Sequence, residues 1–106
     1  MKGDLTMNEV KERTIEKDST TIDDSYYNVV LFNDDITPFE YVILVLGILF
    51  GYPPEEGYDI ALHIHRNGKG VVATLSLEEA YAKLEQLDSL NDESGFLLQG
   101  DVEKAN

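Results

Sequence analysis

A two-layer α/β domain of the α+β kind is the fold class that the sequence predicts: β-α-α-β-α-β, with a three-stranded sheet and the helices on one face of it. Three observations predict it. Segments rich in β-branched and aromatic residues recur at residues 26–32, 71–75 and 96–103, each bounded by Asn, Asp, Gly or Ser. Helix-start signals open the stretches between them, at Thr37-Pro38-Phe39-Glu40, Pro53-Pro54-Glu55-Glu56 and Ser76-Leu77-Glu78-Glu79. A chain of 106 residues with 42% hydrophobic side chains, six Tyr and four Phe can bury one core, not two.

The first strand, Tyr26-Tyr27-Asn28-Val29-Val30-Leu31-Phe32, runs into the turn residues Asn33-Asp34-Asp35. Thr37 then reads as the N-cap of the first helix, with Pro38 at the first helical position and Glu40 closing a capping box. This helix is apolar nearly all round to residue 50 (Val42, Ile43, Leu44, Val45, Leu46, Ile48, Leu49), which predicts burial on more than one side. Gly51 ends it. Pro53-Pro54-Glu55-Glu56 starts the second helix with acids at its positive end, and Asn67-Gly68 stops it. Asn67-Gly68-Lys69-Gly70 reads as a tight turn into the strand 71–75. Ser76 and Glu79 cap the third helix, expected over residues 80–90, and Ser94-Gly95 turns the chain into the last strand, 96–103.

Residues 1–25 differ from the rest. They hold no aromatic residue and only scattered apolar ones, and they end in a run dense in Ser, Thr and Asp. A disordered N-terminal extension is expected there, with the folded domain over 26–106; the apolar positions of residues 9–17 are too sparse for a docked helix.

The formal net charge is −13 and there is no Cys. Thiolate metal sites, thiol catalysis and disulfide frameworks are excluded, and a reducing cytoplasm is the expected compartment. The longest apolar run, residues 42–50, is far short of the about 20 residues that span a bilayer. No targeting segment is visible, and neither a membrane nor nucleic acid is an expected partner, since so acidic a surface repels phosphate. Proteins or cations are.

Few side chains are placed for chemistry. Asn33, Asp34, Asp35 and Thr37 gather oxygen acceptors between a strand end and a helix start; they can face a cation, or simply make the turn, and the run lacks the alternating spacing of a calcium loop. His63 and His65 are the only histidines. Two apart on a helix, they point about 200° away from each other, so they make a poor metal pair. His65 lies one turn from Ala61, on an edge beside apolar positions, and is the better site candidate. Composition and spacing support an acidic protein-binding domain. An acidic decoy and a metal-dependent hydrolase using His63, His65 and Asp34 or Asp35 are the competing readings.

Taken together, Asn33-Asp34-Asp35-x-Thr37-Pro38-x-Glu40-Tyr41-Val42, His65-x-x-Gly68-Lys69, and Glu78 with Lys83 on the third helix resemble the ClpS family, adaptors of the ATP-dependent Clp protease. The resemblance runs from about residue 27 to residue 98 and implies the same element order behind a mobile N-terminal extension. It implies a non-enzymatic, monomeric adaptor without a cofactor or metal, which captures proteins bearing a large hydrophobic N-terminal residue (an N-degron) and delivers them to an AAA+ unfoldase of the ClpA or ClpC type. By position, Asn33, Asp35 and His65 match the ligands of the substrate's α-amino group, with Asp34 and Thr37 beside them. Leu31, Phe39, Val42, Ala61, Leu62, Ile64 and Leu97 match or neighbour the pocket for the first side chain, and Glu78 and Lys83 match positions that face the unfoldase. Phe39 and Ala61 stand where the family usually has Met, so one side of the pocket gate is larger and the other much smaller.

Overall fold

The computed structural model describes residues 25–105. The expected extension over 1–25, with the stretch 9–17 in it, lies outside the described residues except for Ser25.

The strand β1 (Tyr27–Phe32) is followed by the helices α1 (Phe39–Phe50) and α2 (Pro54–Asn67), the strand β2 (Lys69–Leu75), the helix α3 (Leu77–Ser94) and the strand β3 (Gly100–Lys104). The predicted order and class are those observed. β1 is the central strand, antiparallel to β2 on one side and β3 on the other. Its most apolar stretch, Val29-Val30-Leu31, is fully buried, as a central strand requires.

The β1–β2 ladder shifts register between Val29 and Val30, which face Ala73 and Val71, so Val72 is the extra residue of a bulge. Its carbonyl accepts a hydrogen bond of 2.7 Å from the Tyr52 hydroxyl, beyond the end of α1. The bulge therefore ties the first helix connection to the sheet.

One core lies between the layers. Val29, Leu31 and Val72 from the sheet meet Val42, Val45, Leu46 and Leu49 of α1, Ala61 and Ile64 of α2, and Ala80 and Leu87 of α3. α1 contributes most, as its nearly uniform apolarity predicts, but Leu44 and Ile48 remain half exposed. Gly57 lets α2 approach α1 closely: a Cβ there would stand 3.4 Å from the Ile43 side chain. Gly70 does the same between α2 and β2, where a Cβ would meet Ile64 at 2.9 Å and His63 at 3.0 Å. Gly51 and Gly68, at φ of 77° and 88°, end α1 and α2 in the left-handed conformation, which side chains with a Cβ resist.

Four boundaries differ from expectation. Pro38, not Thr37, is the N-cap of α1, and no side chain caps that helix, because Asp34 holds the Thr37 hydroxyl. Lys69 and Gly70 already belong to β2, so the turn is only the Gly68 cap. α3 begins at Leu77 and runs on to Ser94, with Ser76 capping it through the Glu79 N–H as expected. The last strand begins only at Gly100. The segment before it, Phe96 to Gln99, is held in an irregular path: Phe96 stacks against Tyr41 at 4.8 Å between ring centroids, and the Leu98 carbonyl is taken by Asn91. Among the described residues no helix is long and apolar enough to cross a membrane.

Candidate functional site

The loop between β1 and α1 stands at the end of the central strand, where three elements converge. The Phe32 N–H donates to the Gln99 carbonyl at 3.0 Å, and the Asn33 N–H donates to the Gly68 carbonyl at 2.9 Å. The loop is thus tied on one side to the segment before β3 and on the other to the end of α2.

Inside the loop, Asp34 acts as the organiser. Its Oδ1 accepts from the Ile36 N–H at 2.8 Å and the Thr37 N–H at 2.6 Å, and its Oδ2 accepts from the Thr37 hydroxyl at 2.7 Å. Partial burial pushes the Asp34 pKa up, but the bonds from the Thr37 hydroxyl and the Thr37 and Ile36 amides outweigh it and hold the carboxyl below its ordinary range. Asp34 is therefore engaged in shaping the loop.

Asn33, Asp35 and His65 are different: among the described residues their side chains have no hydrogen-bond or ionic partner. All three are exposed and line the same cavity. His65 lies in the last turn of α2, whose carbonyl end favours positive charge. An amide oxygen, a carboxylate and an imidazole nitrogen at the negative end of a helix form a receptor for a compact cation with several donors, such as an ammonium group.

Behind these acceptors the cavity, about 230 Å³, descends between α1 and α2. Its apolar lining is Phe32, Phe39, Val42, Ala61, Ile64 and Leu98, with Thr37 near the mouth. It is smaller than the about 300–1,000 Å³ of a site for a drug-sized ligand, and of the order of one large side chain. Phe39 is braced by Tyr58, one turn before Ala61 and Leu62 on α2, in an edge-on contact of 5.3 Å between ring centroids at 68°. Ala61 is buried and presents only its methyl group to the cavity wall.

Of the residues singled out from the sequence, Asn33, Asp34, Asp35, Thr37, Phe39, Val42, Ala61, Ile64 and His65 are brought together around this cavity. Leu31, Leu62 and Leu97 do not line it. Leu31 is buried in the core behind Val42, Ala61 and Ile64, Leu62 is half buried elsewhere on α2, and Leu97 is 77% exposed. The residues that take their places are Phe32 and Leu98. Asn91 holds the Leu98 carbonyl and keeps Leu98 buried, which leaves Leu97 in solvent. His63 points away, with its Nδ1 3.1 Å from the Asn67 side-chain amide. The two histidines do not converge, and among the described residues no group of three or more acidic or imidazole side chains is placed to hold a metal.

Asn91 was not anticipated. It is buried on α3, where its Oδ1 accepts from the Tyr41 hydroxyl at 2.8 Å and its Nδ2 donates to the Leu98 carbonyl at 2.9 Å. This pair of bonds positions Leu98 as a wall of the cavity. The signal was its spacing: Ala80, Leu84, Leu87 and Asn91 form one helical stripe, and a lone amide on an apolar stripe asks for buried partners. On α3, Glu78 is exposed in the first turn, and Lys83 is half-buried toward the end of α1, with its ammonium 5.8 Å from the centre of the Phe50 ring.

Such a build, a small sheet-and-helix domain with a side-chain-sized cavity beneath three unpartnered acceptors, is suited to recognition and defines an α+β domain of the binding kind. The family model for "ATP-dependent Clp protease adaptor protein ClpS" matches residues 23–100. The chain belongs to the ClpS family of Clp protease adaptors. It is 40% identical over 78 residues to the adaptor of Desulforapulum autotrophicum, which covers 74% of this chain and 75% of that one. Against the adaptor of Burkholderia thailandensis the identity is 35% over 104 residues, 98% of this chain and 94% of the relative. Among solved structures, Agrobacterium tumefaciens ClpS2 bound to L-phenylalaninamide superposes with a TM-score of 0.72 at 34% identity, over 76% of this chain and 96% of that chain.

Proposed function

We propose that this adaptor captures proteins through a large hydrophobic N-terminal residue and presents them to a AAA+ unfoldase of the ClpA or ClpC type. One observation carries the reading: three unpartnered acceptors, Asn33, Asp35 and His65, stand at the mouth of an apolar cavity sized for a single side chain. A free α-amino group beside such a side chain satisfies both parts at once. An internal residue offers no ammonium group at that position, and a Lys ammonium sits at the end of a flexible stem too far from an apolar branch. L-phenylalaninamide, the ligand in the Agrobacterium structure, has a free amino group next to an aromatic side chain, which supports the assignment.

The role asked of the site is binding alone, so the chain acts as an adaptor and not as an enzyme. Delivery is assigned to Glu78 and Lys83 on α3 and to residues 1–25, a separate N-terminal extension ahead of the domain that begins at residue 26. Fluorescence anisotropy with peptides beginning in Phe, Tyr, Trp or Leu should show micromolar or tighter binding that N-acetylation abolishes. Degradation of an N-degron protein by the cognate Clp protease should be accelerated by the full chain and not by residues 26–106 alone. Equal affinity for the acetylated peptide overturns the capture reading, and equal acceleration by the truncated chain overturns the role of residues 1–25.

A further inference from the structure

We propose that the groove between the 33–37 loop and the segment before β3 is a second subsite, which takes an apolar side chain from the second residue of the captured peptide. The inference rests on the reading of the cavity as the site of the first residue. The groove, about 390 Å³, is walled by Ile36 on one side and by Phe96 and Leu97 on the other. Ile36 is 86% exposed and Leu97 77%, the two most exposed large apolar side chains among the described residues. Nothing in the packing of the domain accounts for their being apolar.

Three features tie this groove to the cavity. Both are lined by Asp34, Asp35 and Thr37, so they lie on opposite sides of one loop and form a continuous surface. The second Cα of a bound peptide lies only about 3.8 Å beyond the first. A peptide whose first side chain enters the cavity, with its amino group at Asn33, Asp35 and His65, therefore carries its second residue past the shared loop residues, within side-chain reach of Ile36 and Leu97. Both walls are also fixed before binding. The Ile36 N–H is bonded to Asp34, Leu98 next to Leu97 is held through its carbonyl by Asn91, and the Gln99 carbonyl receives the Phe32 N–H. A groove already formed loses little entropy when it is filled.

The test uses the full chain and peptides that begin Phe-Leu or Phe-Ser and are otherwise identical, each free and N-acetylated. Leu at the second position should bind about threefold to tenfold more tightly than Ser, the lower end of apolar discrimination, because the groove is open to solvent. In the double variant Ile36→Ser, Leu97→Ser this ratio should fall to unity, whereas Leu44→Ser on the exposed side of α1 should keep it. All three positions are exposed, so folding tolerates the changes. A ratio of unity in the native chain, or a preference that survives the double variant, overturns the subsite. So does an effect of the double variant on self-association or on unfoldase binding alone, since the groove then serves another partner. If acetylation is without effect, the cavity reading falls as well; if acetylation abolishes binding but the second residue does not matter, only the subsite falls.

Discussion

Asp34 accepts three hydrogen bonds from the loop it belongs to, while its neighbours Asn33 and Asp35 accept none from the described residues. The acceptor run was legible in the sequence, but the division of labour within it was not, because it depends on which carboxylate the turn folds around. Asp34 has a folded-state pKa below its unfolded one, so the stability it contributes is present above the ordinary carboxylate range and is lost as pH falls through the lowered folded value. Asp34→Asn should therefore be less stable than the native chain at neutral pH, with the gap in denaturant midpoint closing as the medium is acidified below that range. A gap that stays constant contradicts the account.

The two histidines separate at the same scale. His65 lines the cavity and His63 turns to Asn67, as their angular separation on a helix predicted. His65→Ala should weaken peptide binding about tenfold to a hundredfold, the range for a hydrogen bond to a charged group, and His63→Ala should change it little. Ala61 sets the shape of the opposite wall. Ala61→Met should fill the space beside Phe39 and reduce binding of peptides that begin with Ile or Val, whose branch at Cβ needs that room, while Phe-first peptides stay within a few fold. An unchanged ranking by anisotropy would show that the wall does not discriminate.

Among the elements, those bounded by local chemistry were the most legible. Ser76 with Glu79, Gly51 and Gly68 mark helix ends through contacts a few residues apart, and they fall where the sequence puts them. Thr37 looked like a cap of the same kind, yet Asp34 competes for it from within the loop, and the helix starts on Pro38 without a side-chain cap. Beyond Ser94 the chain was read as strand from residue 96 because its composition suits one. Contacts distant in sequence decide otherwise: Asn91 on α3 takes the Leu98 carbonyl and the Tyr41 hydroxyl together. This is why Leu97 was placed in the pocket and Leu98 lines it. Asn91→Ala would leave two buried groups unsatisfied, each at a cost of about 1–3 kcal/mol. The variant should lose stability by a comparable amount in chemical denaturation and bind Phe-first peptides more weakly. A variant that loses stability with unchanged affinity would confine Asn91 to the fold.

For the molecule as a whole, the class and the element order followed from periodicity and caps, because a two-layer fold leaves few ways to bury α1; the site came only from the family resemblance, since an Asn-Asp-Asp run by itself fits a plain turn equally well. The net charge of −13 pointed to protein partners or cations and no further, since it does not single out one surface. The central claim is that one cavity joins an apolar side chain to a free amino group. A heteronuclear NMR titration with L-phenylalaninamide tests it most directly. The account predicts saturable amide shifts concentrated at Asn33, Asp35, Phe39, Ala61, His65 and Leu98, and none with N-acetyl-L-phenylalaninamide at the same concentration. Shifts of equal size with both compounds, or shifts centred on the exposed side of α1 around Leu44 and Ile48, would contradict it.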